Sequence, residues 1–421
     1  MTRRVAIVGA GWAGLAAAVE AVRRGHRVTL FEAARTPGGR ARSLPLVLPD
    51  GREVSVDNGQ HILIAAYVET LALMEAVGVD PSSALLRMPL VLQDTRGEGL
   101  ALPSWPAPWD AFAGILGARG WQARDKLSLL RAAVGWQLSG FRCDPAMTVA
   151  DLTRGLTPRV RDDVVDPLCV AALNTPAARA SAEVFLRVLR DALFGRGHAG
   201  WGGSNLLLPR QDLGRLLPQA ATAWLAAHGA QARIGARVQQ LSRAGEGWAL
   251  DGEAFDAVVL ATPSLEAARL VAESGVGAAA WVAAARSLAL EAIATVYAWG
   301  GPRLPQPMLA LHGGPAQFVF DRGQLGGPQG LLAFVASASL REKEVLQAEV
   351  LAQAAALGWD VRPLQTVVEK RATFACVPGL ERPPVAVGPG LWACGDYVEG
   401  PYPATLEGAV RSGLAVAARL A

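Results

Sequence analysis

Six residues near the start of the chain, Gly9-Ala10-Gly11-Trp12-Ala13-Gly14, have the G-x-G-x-x-G spacing that holds a diphosphate against bare backbone. The first glycine serves a tight turn, the second leaves room for the anion, and the third lets a helix close on a strand. Glu32 follows Gly14 by 18 residues, with Ala33 beside it. A carboxylate there can accept both hydroxyls of an adenosine ribose and would repel a 2′-phosphate. These residues need particular elements to position them. Val5–Val8 is an apolar, β-branched run that predicts a buried parallel strand. Residues 16–24 predict a helix stopped by Gly25, and residues 27–31 a second strand ending at the acid. The helix N-terminus then faces the diphosphate. Strand, glycines, helix, strand and acid in register point to a dinucleotide site.

A second group of polar residues follows. Gly38-Gly39-Arg40 and Arg42 begin six positions after the acid, and two arginines there can reach phosphates bidentately. Asn58-Gly59-Gln60-His61 follows Asp57 and a strand-like stretch over 53–56. Near the C-terminus, residues 390–394 lead into Gly395-Asp396, and a helix is expected after Tyr402. These motifs together resemble the flavin amine oxidase and carotenoid desaturase superfamily. The resemblance implies FAD, bound without a covalent link, because Cys394 is not placed where that superfamily attaches its flavin. It implies that Asn58, Gly59, Gln60 and His61 approach the flavin ring. It also implies that Val238 meets the adenine, that Ala261-Thr262-Pro263 returns the chain to the cofactor sheet, and that Asp396 holds the ribityl chain or diphosphate. Thr405, Leu406 and Ala409 then open a helix toward the flavin N1–C2 end.

A narrower likeness rests on D-N-G-Q-H at 57–61, P-L-C-V-A-A-L-N-T-P at 167–176, L-L-L-P-R at 206–210 and the G-D-Y…E-G-A run at 395–409. This combination resembles the squalene-associated FAD-dependent desaturases, the hydroxysqualene dehydroxylase family. It implies a reductive loss of an allylic hydroxyl from a long apolar isoprenoid, hydroxysqualene, with an external electron donor. The same motifs allow a carotenoid or phytoene desaturase, or a flavin-containing prenyl-lipid carrier without turnover. Dehydroxylation needs a proton donor, for which Asp166, Asp191, His61 and Tyr402 are the candidates. The fold implied is α/β: a discontinuous, Rossmann-type, glutathione-reductase-like FAD domain (1–64, 204–263, 375–421) and an α+β substrate domain (65–203, 264–374).

Composition bounds the alternatives. The 421 residues are 51% hydrophobic and 18% charged, as expected of a protein that handles an apolar substrate. A net charge of +3 without a basic run excludes a nucleic-acid partner. Four cysteines without a C-x-x-C pair predict a reduced compartment and no metal site. The start MTRRV enters a strand at once and predicts no signal peptide, so a cytoplasmic protein is expected, at the inner face of the plasma membrane. The membrane enters through one segment. Trp105, Trp109, Phe112, Trp121, Trp136 and Phe141 alternate with Arg119, Arg124, Lys126 and Arg131, a pattern suited to a lipid interface. Further helices are expected over 62–77, 184–193, 213–227 and 340–355, and a strand over 233–241.

Overall fold

The computed structural model describes residues 2–339 and 341–420. Its central sheet has six strands in the order Gln231–Ile234, Arg27–Glu32, Arg4–Val8, Ala257–Leu260, Leu391–Ala393 and Ala386–Gly388. All neighbours are parallel except the last pair. Val5 sits between Val28 and Ala257, so the first strand is central, and its Val5–Val8 side chains are buried. Helix Trp12–Arg23 covers one face together with the C-terminal helix Leu406–Ala417. These helices approach closely because a Cβ on Gly413 would stand 2.2 Å from the Ala13 carbonyl oxygen.

A second, antiparallel sheet has the order Met308–Ala310, Phe318–Asp321, Leu331–Ser337, Leu290–Trp299 and Arg362–Phe374. A helical layer, which includes Trp109–Gly117, Ala123–Leu138, Asp166–Leu173 and Ala182–Phe194, precedes it in sequence. Asn174 pins this layer to the sheet. Its Nδ2 donates to Thr373 Oγ1 at 2.9 Å, and its Oδ1 accepts from the Ala338 N–H at 2.7 Å. No described helix is long and apolar enough to cross a membrane.

Several local expectations change. Residues 62–77 are not one helix: Leu63–Ile64 pairs with Leu206–Leu207, and the helix is Val68–Ala76. The backbone groups of Ala65 and Ala66 bond to Asn205 and Gly203 instead of to a helical turn. The strand expected over 233–241 stops at Ile234, and Leu241–Ala244 belongs to a different sheet. Gly235, at φ +77°, makes the exit turn. Helix 213–227 breaks at Leu217 because Pro218 starts a new helix and has no N–H to continue the old one. The helix expected from 340 runs Lys343–Ala356, and Leu340 lies outside the described residues.

Candidate active site

A cavity of about 1080 Å³ starts over the C-terminal ends of the parallel strands and continues along the antiparallel sheet. Its polar end is built by the glycine turn. A Cβ on Gly9 would lie 2.6 Å from the Ala261 carbonyl oxygen, and one on Gly14 would lie 1.9 Å from the Gly9 oxygen. A Cβ on Gly11 would meet nothing within 4 Å, so Gly11 opens its bare backbone to the cavity. Gly11 is the N-cap of Trp12–Arg23 and gives no side-chain cap, leaving that helix's first N–H groups for an anion. Trp12 and Ala13 share the wall, whereas Ala10 and Gly14 lie behind it. Glu32 accepts from the Ala10 and Ala34 N–H groups, both at 2.7 Å. Two hydrogen bonds leave its carboxylate with room for further donors. Ala33, Gly38, Gly39, Val238, Ala261, Thr262 and Pro263 complete this end.

Arg40 and Arg42 line the cavity and also have protein partners. Arg40 pairs with the Asp396 carboxylate and donates to the Ala372 carbonyl at 2.8 Å. Arg42 donates to the Gly39 carbonyl at 2.8 Å and lies 3.5 Å from Glu369. Arg40 thereby joins two motifs 356 residues apart at one wall. Asn58 continues the join: its Oδ1 accepts from the Arg42 N–H at 3.1 Å and its Nδ2 donates to the Arg40 carbonyl at 2.8 Å. Gly59, Gln60 and His61 follow along the wall, and Gly395, Asp396, Thr405, Leu406 and Ala409 face it from the C-terminal segment. The Thr405 hydroxyl caps its helix by accepting from the Gly408 N–H at 2.9 Å.

The far end is apolar, with Leu168 and Val170 from one helix, Phe185 and Val188 from the next, and Phe318 and Phe320 from the sheet. Three of the four proton-donor candidates reach the cavity. His61 Nδ1 bonds the Gly59 carbonyl at 2.5 Å, and burial holds its pKa below the ordinary value. Asp191 Oδ2 accepts from the Tyr402 hydroxyl at 2.8 Å, and Arg190 Nε contacts its other oxygen at 2.8 Å. Burial, then the Asp191 carboxylate, pushes the Tyr402 phenol up. Asp166 is a correction: it is exposed on the outer side of its helix and lines no part of the cavity. Among the described residues no cluster of His, Cys, Asp and Glu could hold a metal ion, and all four cysteines are free.

Comparison with known proteins decides the family. Residues 12–421 match the family described as flavin containing amine oxidoreductase. The chain belongs to it. It is similar to a hydroxysqualene dehydroxylase of Rhodopseudomonas palustris, 29% identical with 98% of this chain and 97% of the relative covered. One from Zymomonas mobilis is 28% identical, with 97% and 96% covered. A zeta-carotene desaturase of Synechocystis is 45% identical, but over 75 residues, or 18% of this chain. Among solved structures, an oxidoreductase from Methanosarcina mazei aligns with a TM-score of 0.73 at 18% identity over 98% of this chain and 99% of that one. Cyclohexylamine oxidase from Brevibacterium oxydans aligns at 0.68 and 15% identity over 100% and 99%.

This member of the flavin amine oxidoreductases is an FAD-dependent oxidoreductase, and its cavity wall suits the cofactor. Gly11 has the clearance, and the buried Thr262 and Tyr397 hydroxyls have no protein partner among the described residues. Tyr397 and Glu407 belong to the G-D-Y…E-G-A run but had no role assigned from sequence, and Tyr67 was not singled out; all three line the cavity. Glu407, 1% exposed, accepts from the Thr70 N–H at 2.9 Å and the Thr70 hydroxyl at 2.7 Å. It therefore caps a helix 337 residues away in sequence, a role no local pattern signals.

Asp57 lies beneath the wall. Its Oδ1 accepts from the Leu213 N–H at 2.7 Å, while its buried Oδ2 has no partner among the described residues. Burial pushes this carboxyl up to about 7, against the pull of Arg322. The folded value exceeds the unfolded one, so the stability this group contributes is present at low pH and is lost as pH rises through about 7. Asp57→Asn keeps the acceptor and does not ionise. Urea unfolding at about pH 5 and pH 8 should show the variant gaining roughly 2 kcal/mol on wild type over that interval. An equal pH response in both proteins would mean that Asp57 titrates as an ordinary carboxylate.

Proposed function

We propose that the protein reduces hydroxysqualene: hydroxysqualene and reduced FAD give squalene, water and oxidised FAD. The observation that carries this reading is coverage. The likeness to hydroxysqualene dehydroxylases runs over 98% of the chain, whereas that to the Synechocystis zeta-carotene desaturase stops at 18%. Reduced FAD supplies the hydride that replaces the lost hydroxyl. The protein's part is to hold the chain, exclude water and deliver a proton. Leu168, Val170, Phe185 and Phe320 give the isoprenoid an apolar bed. His61 is the only histidine on the cavity wall among the described residues, and its Nδ1 is held by the Gly59 carbonyl. That bond leaves Nε2 to carry the proton to the departing hydroxyl. The Asp191–Tyr402 pair stands ready as the other proton source. Electrons come from an external donor, and the water-insoluble substrate is taken from a membrane surface.

The test is anaerobic mixing of the reduced holoprotein with hydroxysqualene. Flavin should reoxidise without oxygen while squalene forms in equal amount. Bleaching of the oxidised flavin by phytoene, with no squalene from the reduced form, would establish a desaturase instead. A flavin spectrum that responds to neither polyene would leave a lipid carrier.

A further inference from the structure

Residues 105–138 contribute nothing to the cavity wall, yet they carry seven of the twelve large hydrophobic residues exposed among the described residues. The structure sorts the aromatics of this segment, which the sequence could not. Trp121 is core: it is 7% exposed, and its Nε1 donates to Asp163 at 2.8 Å. Trp105 and Trp109 are 59% and 64% exposed. On helix Trp109–Gly117 the exposed residues Trp109, Phe112 and Leu116 follow an i, i+3, i+7 stripe, while Ile115 faces inward. On helix Ala123–Leu138 the exposed Leu127, Val134 and Leu138 form a second stripe, with the exposed Arg131 in line. Lys126 Nζ donates to the Leu116 carbonyl at 2.6 Å and joins the two helices.

The exposed charge of this segment has one sign. The only acids between Trp105 and Arg142 are Asp110 and Asp125, and both are buried. Arg119, Arg124, Arg131 and Arg142 are all exposed. Packing contacts connect this segment to elements of the cavity wall. Gly114 packs its helix against Leu102, which leaves the hairpin strand Gly99–Ala101, and Leu92 of the partner strand lines the cavity. Phe194 ends the helix whose Phe185 and Val188 line the cavity, and its ring lies 5.5 Å from that of Phe141.

We propose that this face docks on an anionic lipid bilayer. Trp105, Trp109, Phe112 and Leu116 enter at headgroup level, and Arg119, Arg124 and Arg131 meet lipid phosphates. A neutral apolar partner would leave the arginines unanswered, and a soluble acidic partner would leave the exposed rings in water. The benefit to turnover rests on the reading of the substrate as a membrane-borne isoprenoid; the docking itself does not.

The experiment is co-sedimentation of the FAD-loaded full chain with phosphatidylcholine vesicles, with and without phosphatidylglycerol. Wild type should pellet with the mixed vesicles and be released by salt. Trp109→Ser/Phe112→Ser should lower the partition coefficient at least about tenfold, with FAD content unchanged. Arg124→Gln/Arg131→Gln should lose the preference for phosphatidylglycerol, and Val47→Ser, an exposed apolar residue elsewhere, should bind as wild type. Wild type that stays in the supernatant, or an FAD-loaded Trp109→Ser/Phe112→Ser that pellets like wild type, overturns the proposal. So does a lipid-free dimer that the Trp109→Ser/Phe112→Ser change splits without altering vesicle binding, because the face would then join two copies of the chain. Turnover of detergent-dispersed hydroxysqualene separates the two readings. Its absence with vesicle binding intact refutes the chemistry alone, and its persistence without vesicle binding refutes the docking alone.

Discussion

Gly14→Ala should cost the protein about 3 kcal/mol or more of stability, while Gly11→Ala should leave the apoprotein as stable as wild type and remove most of its affinity for FAD. The two positions are three residues apart in one motif, and the difference lies in what a methyl group would meet. At Gly14 it would stand 1.9 Å from the Gly9 carbonyl oxygen and 2.9 Å from the Ala261 Cβ. Both are fixed parts of the sheet end, so the helix must move away from the strand. At Gly11 it would meet no protein atom within 4 Å and would project where the cofactor diphosphate approaches bare backbone. Gly11 has an extended conformation, φ −74° and ψ 177°, that alanine adopts freely. Affinity for FAD should fall about 10- to 100-fold, which corresponds to the loss of one or two hydrogen bonds to a charged group. Thermal melts of apoprotein with and without added FAD separate the effects. A Gly11→Ala protein that takes up FAD like wild type would mean that the diphosphate does not lie at this turn.

His61→Gln should lower the rate of squalene formation about 10²- to 10⁴-fold with FAD retained. Burial holds the His61 pKa below the ordinary imidazole value, so at neutral pH the ring is mostly neutral. If the imidazolium is the acid, the wild-type rate should climb about tenfold per unit as pH falls toward the ordinary value. The climb should level off only once pH passes the lowered pKa. Glutamine carries no titrating proton, so the variant's profile should be flat over that range. Asp191→Asn and Tyr402→Phe test the other source. These two residues hold each other at 2.8 Å, and their loss should alter substrate placement more than the proton step. Steady-state kinetics across pH decides the matter. A flat wild-type profile, with Asp191→Asn inactive and His61→Gln active, would assign the proton to the Asp191–Tyr402 pair.

The dinucleotide motif was legible in the sequence because its causes are local. A buried strand, a helix and the turn between them are specified within about 30 residues, and the glycines are demanded by contacts inside that unit. Strand Arg4–Val8 and Glu32 at the end of the next strand are accordingly found where the spacing predicts, while the helix expected over 16–24 starts a turn earlier and runs Trp12–Arg23. The family likeness was legible for the same reason, since its motifs are short and contiguous.

What only the tertiary structure decided is which face of each element is covered, and by what. Trp109 and Trp121 look alike in sequence, but Asp163 claims the second, so one ring lies in water and the other in the core. Asp166 and Asp191 are both acids on helices of the same layer, yet only Asp191 is turned toward the cavity, where Tyr402, 211 residues away, donates to it. Arg40 lies on the cavity wall and pairs with Asp396, a partner that no local pattern signals. A helical or strand pattern states that one side is apolar, but the partner of that side comes from distant chain. Burial, pairing and pKa depend on that partner, so they arise only when the sheets and helices are packed together.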